Sequence, residues 1–405
     1  MVGAADVIGT IDVVGVVGAG TMGAGIAQLA LEAGHRVFLH DVDAAAIERG
    51  RTRIRDGLER RASRLDLDPE SAEMWVGRRL ARLHDAQTIQ AIARAGPDLI
   101  VEAALEDLEA KRAIFRVLDS LVPPDTILAT NTSALSVGAI ADTTANPARI
   151  LGLHFFNPAP VMPLVEVVIA PATGREVADR AAALMTLWGK VPVRCTDTPG
   201  FIVNRVNRPF TLEALAMLEA GVGSVETIDA AMRDAGYLMG PFELMDLTGV
   251  DVTLAASGGI FERSRAAGDP LAERFRPSRI QERLVATGNL GRKTGAGFYR
   301  YGPDGRATGP TRAVGRASAG PGLVPAEVVA RITLAIVNEA YRALGEGAAS
   351  AADIDLALRL GAGHPLGPFE RVDGLGGRSA VVTGLLRHAD AGPRFIPAPA
   401  LLAVG

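Results

Sequence analysis

IDVVGVVGAGTMGAGIAQLALEAG, residues 11–34, reads in order as strand, turn and helix. IDVVGVV is apolar and β-branched, as suits a strand covered on both faces. GAGTMG interrupts it, and AGIAQLALEAG resumes with alanine and leucine at helical spacing. Gly18, Gly20 and Gly23 follow the G-x-G-x-x-G pattern, with Thr21 and Met22 between the last two. Such a loop turns tightly, lets a pyrophosphate approach the backbone, and aims a helix N-terminus at the negative charge. The next strand, RVFLHD, ends at Asp41, 21 residues after Gly20. An acid there accepts hydrogen bonds from a ribose 2′-hydroxyl and repels a 2′-phosphate, so the reading is NAD rather than NADP.

Further strands are expected at DLIVEA (98–103), TILATN (126–131) and ARILGLHFF (148–156), with helical stretches between them. That alternation predicts a doubly wound, mostly parallel sheet. Ligands of such sheets gather beyond the carboxyl ends of the strands, where Glu102, Glu106, Asn131, Thr132, Ser133 and His154 fall. His154 and Glu166 each interrupt an apolar run in HFFNPAPVMPLVEVV. Burying either alone is costly, and the proline-rich NPAPVMP between them favours a turn that lays the two runs side by side. A paired imidazole and carboxylate make a proton-transfer device, although in isolation a core histidine with a satisfied hydrogen bond is the commoner explanation of such a pair.

The chain has 405 residues, 48% hydrophobic and 22% charged, enough for two or three domains. Its net charge of -4 offers no nucleic-acid signature. The N-terminal run lacks a basic region and carries Asp6 and Asp12, so it reads as the approach to a strand rather than a signal sequence. No apolar run of spanning length is free of charge, no metal-ligand spacing occurs, and the lone Cys195 excludes an internal disulfide; a soluble cytoplasmic protein is expected. Arginines crowd residues 49–64. They read either as a solvated helix face or as a phosphate-binding patch for a large anionic substrate, with Arg53 and Arg60 as candidate contacts. Only three of the 42 basic residues are lysines, Lys111, Lys190 and Lys293, which suggests positions where arginine will not substitute.

Beyond Thr198 the pattern turns helical, and PGFIVNRVNRPFTLEALAMLEAG predicts a helix ending at Gly221 with Asn204 in its first turns. Residues 211–249 then recur as 336–376, pairing Glu213 with Glu339, Asp229 with Asp355, and GPFE at 240 with GPFE at 367. The same register pairs Arg205 with Arg331 but Asn204 with Ala330, so the second copy keeps the framework and drops the polar residue. The expected organisation is a nucleotide-binding domain over 1–197, a first helical domain over 198–301, a flexible linker over 302–322, and a second, non-catalytic helical domain over 323–405.

Together VGVVGAGTMGAGIAQ, LIVEAALEDLEAKRAIF, LATNTSALS, GLHFFNPAPVMPLVEVV, DTPGFIVNRV, GPFELMDLTGVD and GRKTGAGFY resemble the L-3-hydroxyacyl-CoA dehydrogenases along nearly the whole chain. The resemblance implies NAD-dependent interconversion of (S)-3-hydroxyacyl-CoA and 3-oxoacyl-CoA. By it, His154 is the general base and Glu166 its orienting partner. Ser133 and Asn204 hold substrate; Asp41, Glu106, Lys111 and Asn131 join the glycine loop in holding the cofactor. WGKVPVRCTDTPGFIVNRVNRP and the second helical copy look most like the bacterial 3-hydroxyadipyl-CoA dehydrogenases of phenylacetate breakdown, with 3-hydroxybutyryl-CoA as the alternative substrate. Family members with one copy pair through this helical domain, which implies a monomer with an internal pseudo-dimer, or else a homodimer. An NAD-binding protein with no activity is a third reading, against which the presence of His154, Glu166, Ser133 and Asn204 weighs.

Overall fold

Val13–Val17 forms the first strand, β1, of the computed structural model, which describes residues 11–311 and 322–403. The first ten residues, read as the approach to this strand, lie outside the described residues. All of β1 is buried, as the β-branched run required. Thr21–Glu32 (α1) follows, then Arg36–His40 (β2), Ala44–Ala62 (α2), Pro69–Leu80 (α3) and Leu83–Asp85 (β3). Ile89–Arg94 (α4), Leu99–Glu102 (β4), Leu108–Leu121 (α5), Ile127–Thr130 (β5) and Val137–Ala141 (α6) continue the alternation. Ile150–Phe155 (β6), Leu164–Ile169 (β7), Arg175–Leu187 (α7) and Val191–Thr196 (β8) complete the first unit, which ends at Thr198.

The sheet order is β3-β2-β1-β4-β5-β6-β7-β8. Strands β1 to β6 pair in parallel, and the order reverses between β1 and β4, where open α/β sheets take their ligands. β7 then turns back antiparallel to β6, and β8 runs parallel to β7. That reversal is what the NPAPVMP turn provides. Packing between α1 and the sheet is close: a Cβ on Gly23 would lie 1.8 Å from the carbonyl oxygen of Gly18.

The second unit starts at Pro199 and is mostly helical. The single helix expected up to Gly221 is broken into Val203–Val206 (α8) and Arg208–Glu219 (α9). Pro209 has no N–H to continue the ladder, and the Phe210 N–H bonds back to Asn207 O at 3.0 Å instead. Val225–Asp234 (α10), Pro241–Thr248 (α11), Val250–Ala266 (α12) and Arg279–Ala286 (α13) complete the first copy, and Pro325–Gly345 (α14), Ala351–Ala362 (α15) and Arg378–Arg387 (α16) belong to the second. The repeat is structural in detail. Ser224 caps α10 and Ser350 caps α15. Asp229 accepts from the Phe242 and Glu243 N–H groups at 2.9 and 3.1 Å, and Asp355 from those of Phe369 and Glu370 at 2.8 and 3.3 Å.

The two helical copies, expected over 198–301 and 323–405, lie within the second unit and bury charge between them. Arg205 and Arg274 of the first copy both hold Glu339 of the second at 2.7 Å. Arg331 and Arg394 of the second copy both hold Glu213 of the first, Arg394 at 2.9 Å. Each glutamate is thus clamped by two arginines of the other copy, the reciprocity of a two-fold interface. Tyr237 and His364, equivalent once the one-residue shift is applied, meet edge-on with ring centroids 5.0 Å apart. The segment 302–322, expected as a linker, contains a short strand. Ala307–Pro310 (β10) pairs with Tyr299–Tyr301 (β9) through backbone hydrogen bonds that its Gly/Pro/Ala composition does not advertise; residues 312–321 lie outside the described residues. No single helix among the described residues is long and apolar enough to cross a membrane.

Burial works against the charge on Glu339, but the guanidinium groups of Arg205 and Arg274 hold its carboxyl below the usual range. A depressed acid contributes stability above its unfolded pKa and loses it as pH falls through the folded value. Glu339→Gln leaves Arg205 with Glu346 and Arg274 with Asp269 as their remaining carboxylate partners and removes the buried anion they share. It should lower the unfolding free energy of the helical unit by about 3–5 kcal/mol at neutral pH, measured by urea denaturation, with the difference shrinking in acid.

Candidate active site

His154 on β6 stands directly opposite Glu166 on β7 in the antiparallel register. Both are buried, and Nδ1 of the imidazole lies 2.6 Å from Glu166 Oε2. An ionised carboxylate only accepts, so Nδ1 carries the proton in this pair and Nε2 is left as the basic nitrogen. The register makes this geometry a property of the sheet rather than of a loop.

At the carboxyl ends of β4 and β5 a buried network fixes the neighbouring loop. Glu102 accepts from Lys111 Nζ at 2.6 Å, from Thr130 Oγ1 at 2.7 Å and from the Ala104 N–H at 2.7 Å. Lys111 also faces Glu106 Oε2 at 3.4 Å. The other oxygen of Glu106 accepts from Thr132 Oγ1 at 2.5 Å and from the backbone N–H groups of Ser133 and Ala134 at 3.0 and 3.1 Å. The chain of bonds runs from Lys111 through Glu106 to the backbone of Ser133, whose residue is exposed. Lys111 and Asn131, both expected to contact the cofactor, have protein partners in this network. Lys111 is 1% exposed with its ammonium engaged by carboxylates, and Asn131 Oδ1 accepts from the Phe155 N–H at 2.9 Å, tying β5 to β6 beside His154. In this geometry both side chains position their neighbours.

The glycine loop has the shape its spacing predicted. Gly18 sits at φ +103°, and a Cβ there would lie 2.6 Å from Ala103 O. Around Gly20 nothing lies within 4 Å of such an atom, so the start of α1, with Thr21 and Met22, is open to a phosphate group. Asp41 accepts from the Ala19 N–H at 2.8 Å and the Asp43 N–H at 3.1 Å, which aligns its carboxylate at the end of β2. Val42 and Leu105, 98% and 77% exposed, flank the crevice beyond β2 and β4 and offer apolar surface for a base. These residues fit a dinucleotide.

Most arginines of the 49–64 run lie on α2, whose buried face is Ile47, Gly50, Ile54, Gly57 and Leu58. Arg53, Arg60, Arg61 and Arg64 line a cavity of about 580 Å³ together with Thr21 and Lys190. Sequence reasoning left Lys190 undecided. Its Nζ donates to Ala159 O at 2.6 Å and Met162 O at 2.8 Å, holding the turn between β6 and β7, and burial pushes its pKa down to about 8. Three rotatable donors on a compact head suit that role better than a planar guanidinium. Lys293 pairs with Asp251 at 2.6 Å, and Cys195 is buried in β8. Asn204 lies in α8 of the second unit.

A family model described as 3-hydroxyacyl-CoA dehydrogenase, NAD binding domain, matches residues 13–198, and the corresponding C-terminal domain model matches 200–301 and 328–394. The chain is 48% identical over 292 residues to a 3-hydroxyadipyl-CoA dehydrogenase of Escherichia coli K12, covering 72% of this chain and 59% of that one. It is 41% identical over 288 residues to the mitochondrial hydroxyacyl-coenzyme A dehydrogenase of Rattus norvegicus, covering 71% and 90%. A crystal structure of a 3-hydroxybutyryl-CoA dehydrogenase from Escherichia coli K12 superposes with a TM-score of 0.84 at 36% identity, over 97% of this chain and 98% of the other. With the sheet order, the glycine loop and both helical copies accounted for, the chain belongs to the 3-hydroxyacyl-CoA dehydrogenase family.

Proposed function

We propose that the protein oxidises (S)-3-hydroxyacyl-CoA esters to 3-oxoacyl-CoA with NAD, and runs the reverse reduction. The observation that carries the reading is the His154–Glu166 pair, 2.6 Å apart and locked by strand register at the carboxyl end of a dinucleotide-binding sheet. NAD, when bound, accepts the hydride leaving C3. Nε2 of His154 takes the proton of the 3-hydroxyl, and Glu166 stabilises the imidazolium. In reverse the imidazolium returns the proton to the oxygen. Ser133, presented by Glu106, and Asn204 bind the substrate. The CoA portion lies in the basic cavity, where Arg53 and Arg60 meet its phosphates. The internal two-fold interface supports a monomer that carries its own pseudo-dimer. The names of the Escherichia coli relatives divide between 3-hydroxyadipyl-CoA and 3-hydroxybutyryl-CoA, and the former fits a role in phenylacetate breakdown.

Three outcomes test this reading. His154→Ala should lower kcat by roughly 10²- to 10⁴-fold while NAD still binds, and Glu166→Gln should lower it less. Near-normal turnover by folded His154→Ala removes the base assignment. Wild type should prefer NAD to NADP in kcat/KM, and Asp41→Ala should narrow the preference, since the aligned carboxylate repels a 2′-phosphate. Arg53→Ala combined with Arg60→Ala should raise KM for CoA esters by about 10- to 100-fold, as expected for lost charged hydrogen bonds, while barely changing KM for the matching N-acetylcysteamine thioesters. An equal rise for both kinds of thioester moves CoA out of the cavity.

A further inference from the structure

Arg208 opens α9, and its charge has no counterpart in the fold. The residue is 7% exposed. Its Nε is fully enclosed without a hydrogen-bond partner, and among the described residues no carboxylate pairs with the guanidinium. Arg149 is matched with Asp119, and Arg205 and Arg274 with Glu339, while Arg342, 8% exposed, has the Ile396 carbonyl as its acceptor. Burial pushes the Arg208 pKa down to about 10, which leaves it a cation at neutral pH. A buried cation without an anion is among the most expensive arrangements a protein can hold. Its place makes matters worse, because the first turn of a helix carries partial positive charge and favours anions.

The repeat shows that the framework does not ask for this residue. In the register that pairs Arg205 with Arg331 and Glu213 with Glu339, Arg208 pairs with Leu334, a buried member of the second copy's apolar core. The same register pairs Asn204 with Ala330. Asn204 and Arg208 are four residues apart on either side of the break at Asn207, whose backbone stays in the right-handed helical region. The first copy therefore differs from the second by an amide and a guanidinium set four residues apart.

We propose that Arg208 binds a carboxylate at the far end of the acyl chain, and that the substrate class is the ω-carboxylated (S)-3-hydroxyacyl-CoA esters. This inference rests on the dehydrogenase reading and on Asn204 as a substrate ligand. A planar carboxylate matches the guanidinium fork and supplies the missing charge, while phosphates suit the open basic cavity of the first unit. A substrate ending in methyl leaves the guanidinium buried and unpaired, and sites built around a polar group reject analogues lacking it strongly.

The test compares 3-hydroxyadipyl-CoA with 3-hydroxyhexanoyl-CoA, which have the same number of acyl carbons and differ at the terminal group. With NAD in excess, wild type should favour the adipyl ester in kcat/KM by at least about 10²-fold. Arg208→Leu, the residue of the second copy, should shrink that ratio at least tenfold, mainly through KM for the adipyl ester, and Arg208→Lys should restore part of it. Arg208→Leu should also raise Tm by a few degrees, because it removes a buried unpaired cation; a structural role would lower Tm. Wild type that turns over both esters equally overturns the inference alone, without any variant being needed. Equal losses on both esters in Arg208→Leu, or a lowered Tm with the ratio intact, also overturn it. Wild type that oxidises neither ester nor 3-hydroxybutyryl-CoA overturns the dehydrogenase reading, and this inference with it.

Discussion

Glu166 is a carboxylate in the interior of a sheet, and burying it demands a partner. The structure meets that demand by reversing the chain after β6, so that His154 comes opposite and accepts the role of donor. The reversal has further effects. It ends the run of parallel strands, it creates the turn that Lys190 holds by its carbonyls, and it walls the basic cavity with Pro158, Pro160 and Pro163. One buried charge thus organises both the reacting end of the site and the surface assigned to the coenzyme A moiety.

The second organising theme is position rather than contact. Asn131 and Glu102 lie at strand ends and Lys111 in the first turns of α5, and Asn131 Oδ1, the Glu102 carboxylate and the Lys111 ammonium all bond to other protein groups. Lys111 faces Glu106, which accepts from the backbone of the loop carrying Ser133. Reaction geometry depends on such support, because small misplacement of a substrate-binding group costs large factors in rate.

Much of the first unit could be read from sequence because β-branched runs, a glycine fingerprint and alternating helices all pointed to one sheet, and the family resemblance agreed with them. β3 escaped because it has three residues and only Leu83 is buried. The break at Asn207 was visible in Pro209 but hidden by the apolar periodicity around it. β10 was read as linker because backbone pairing with β9 leaves no side-chain pattern to detect. The clamp on Glu213 and Glu339 was half legible. Glutamates and the first arginine pair were in the repeat, but Arg274 and Arg394 lie in the short RFRP and RFIP segments, outside the length over which the copies align by eye. Lys190 could not be assigned because carbonyl ligands carry no sequence signature.

A reciprocal interface inside one polypeptide has consequences that an interface between subunits lacks. In a symmetric dimer every substitution occurs twice, so both halves must tolerate it. Here each half carries its own sequence, and an amide or guanidinium can enter one while alanine or leucine remains in the other, as at 204 and 330 or 208 and 334. Covalent linkage also holds the halves at a fixed effective concentration, so their association does not weaken on dilution. Duplication has in this sense released the helical unit from symmetry, so that each half can change its buried polar groups without a matching change in the other.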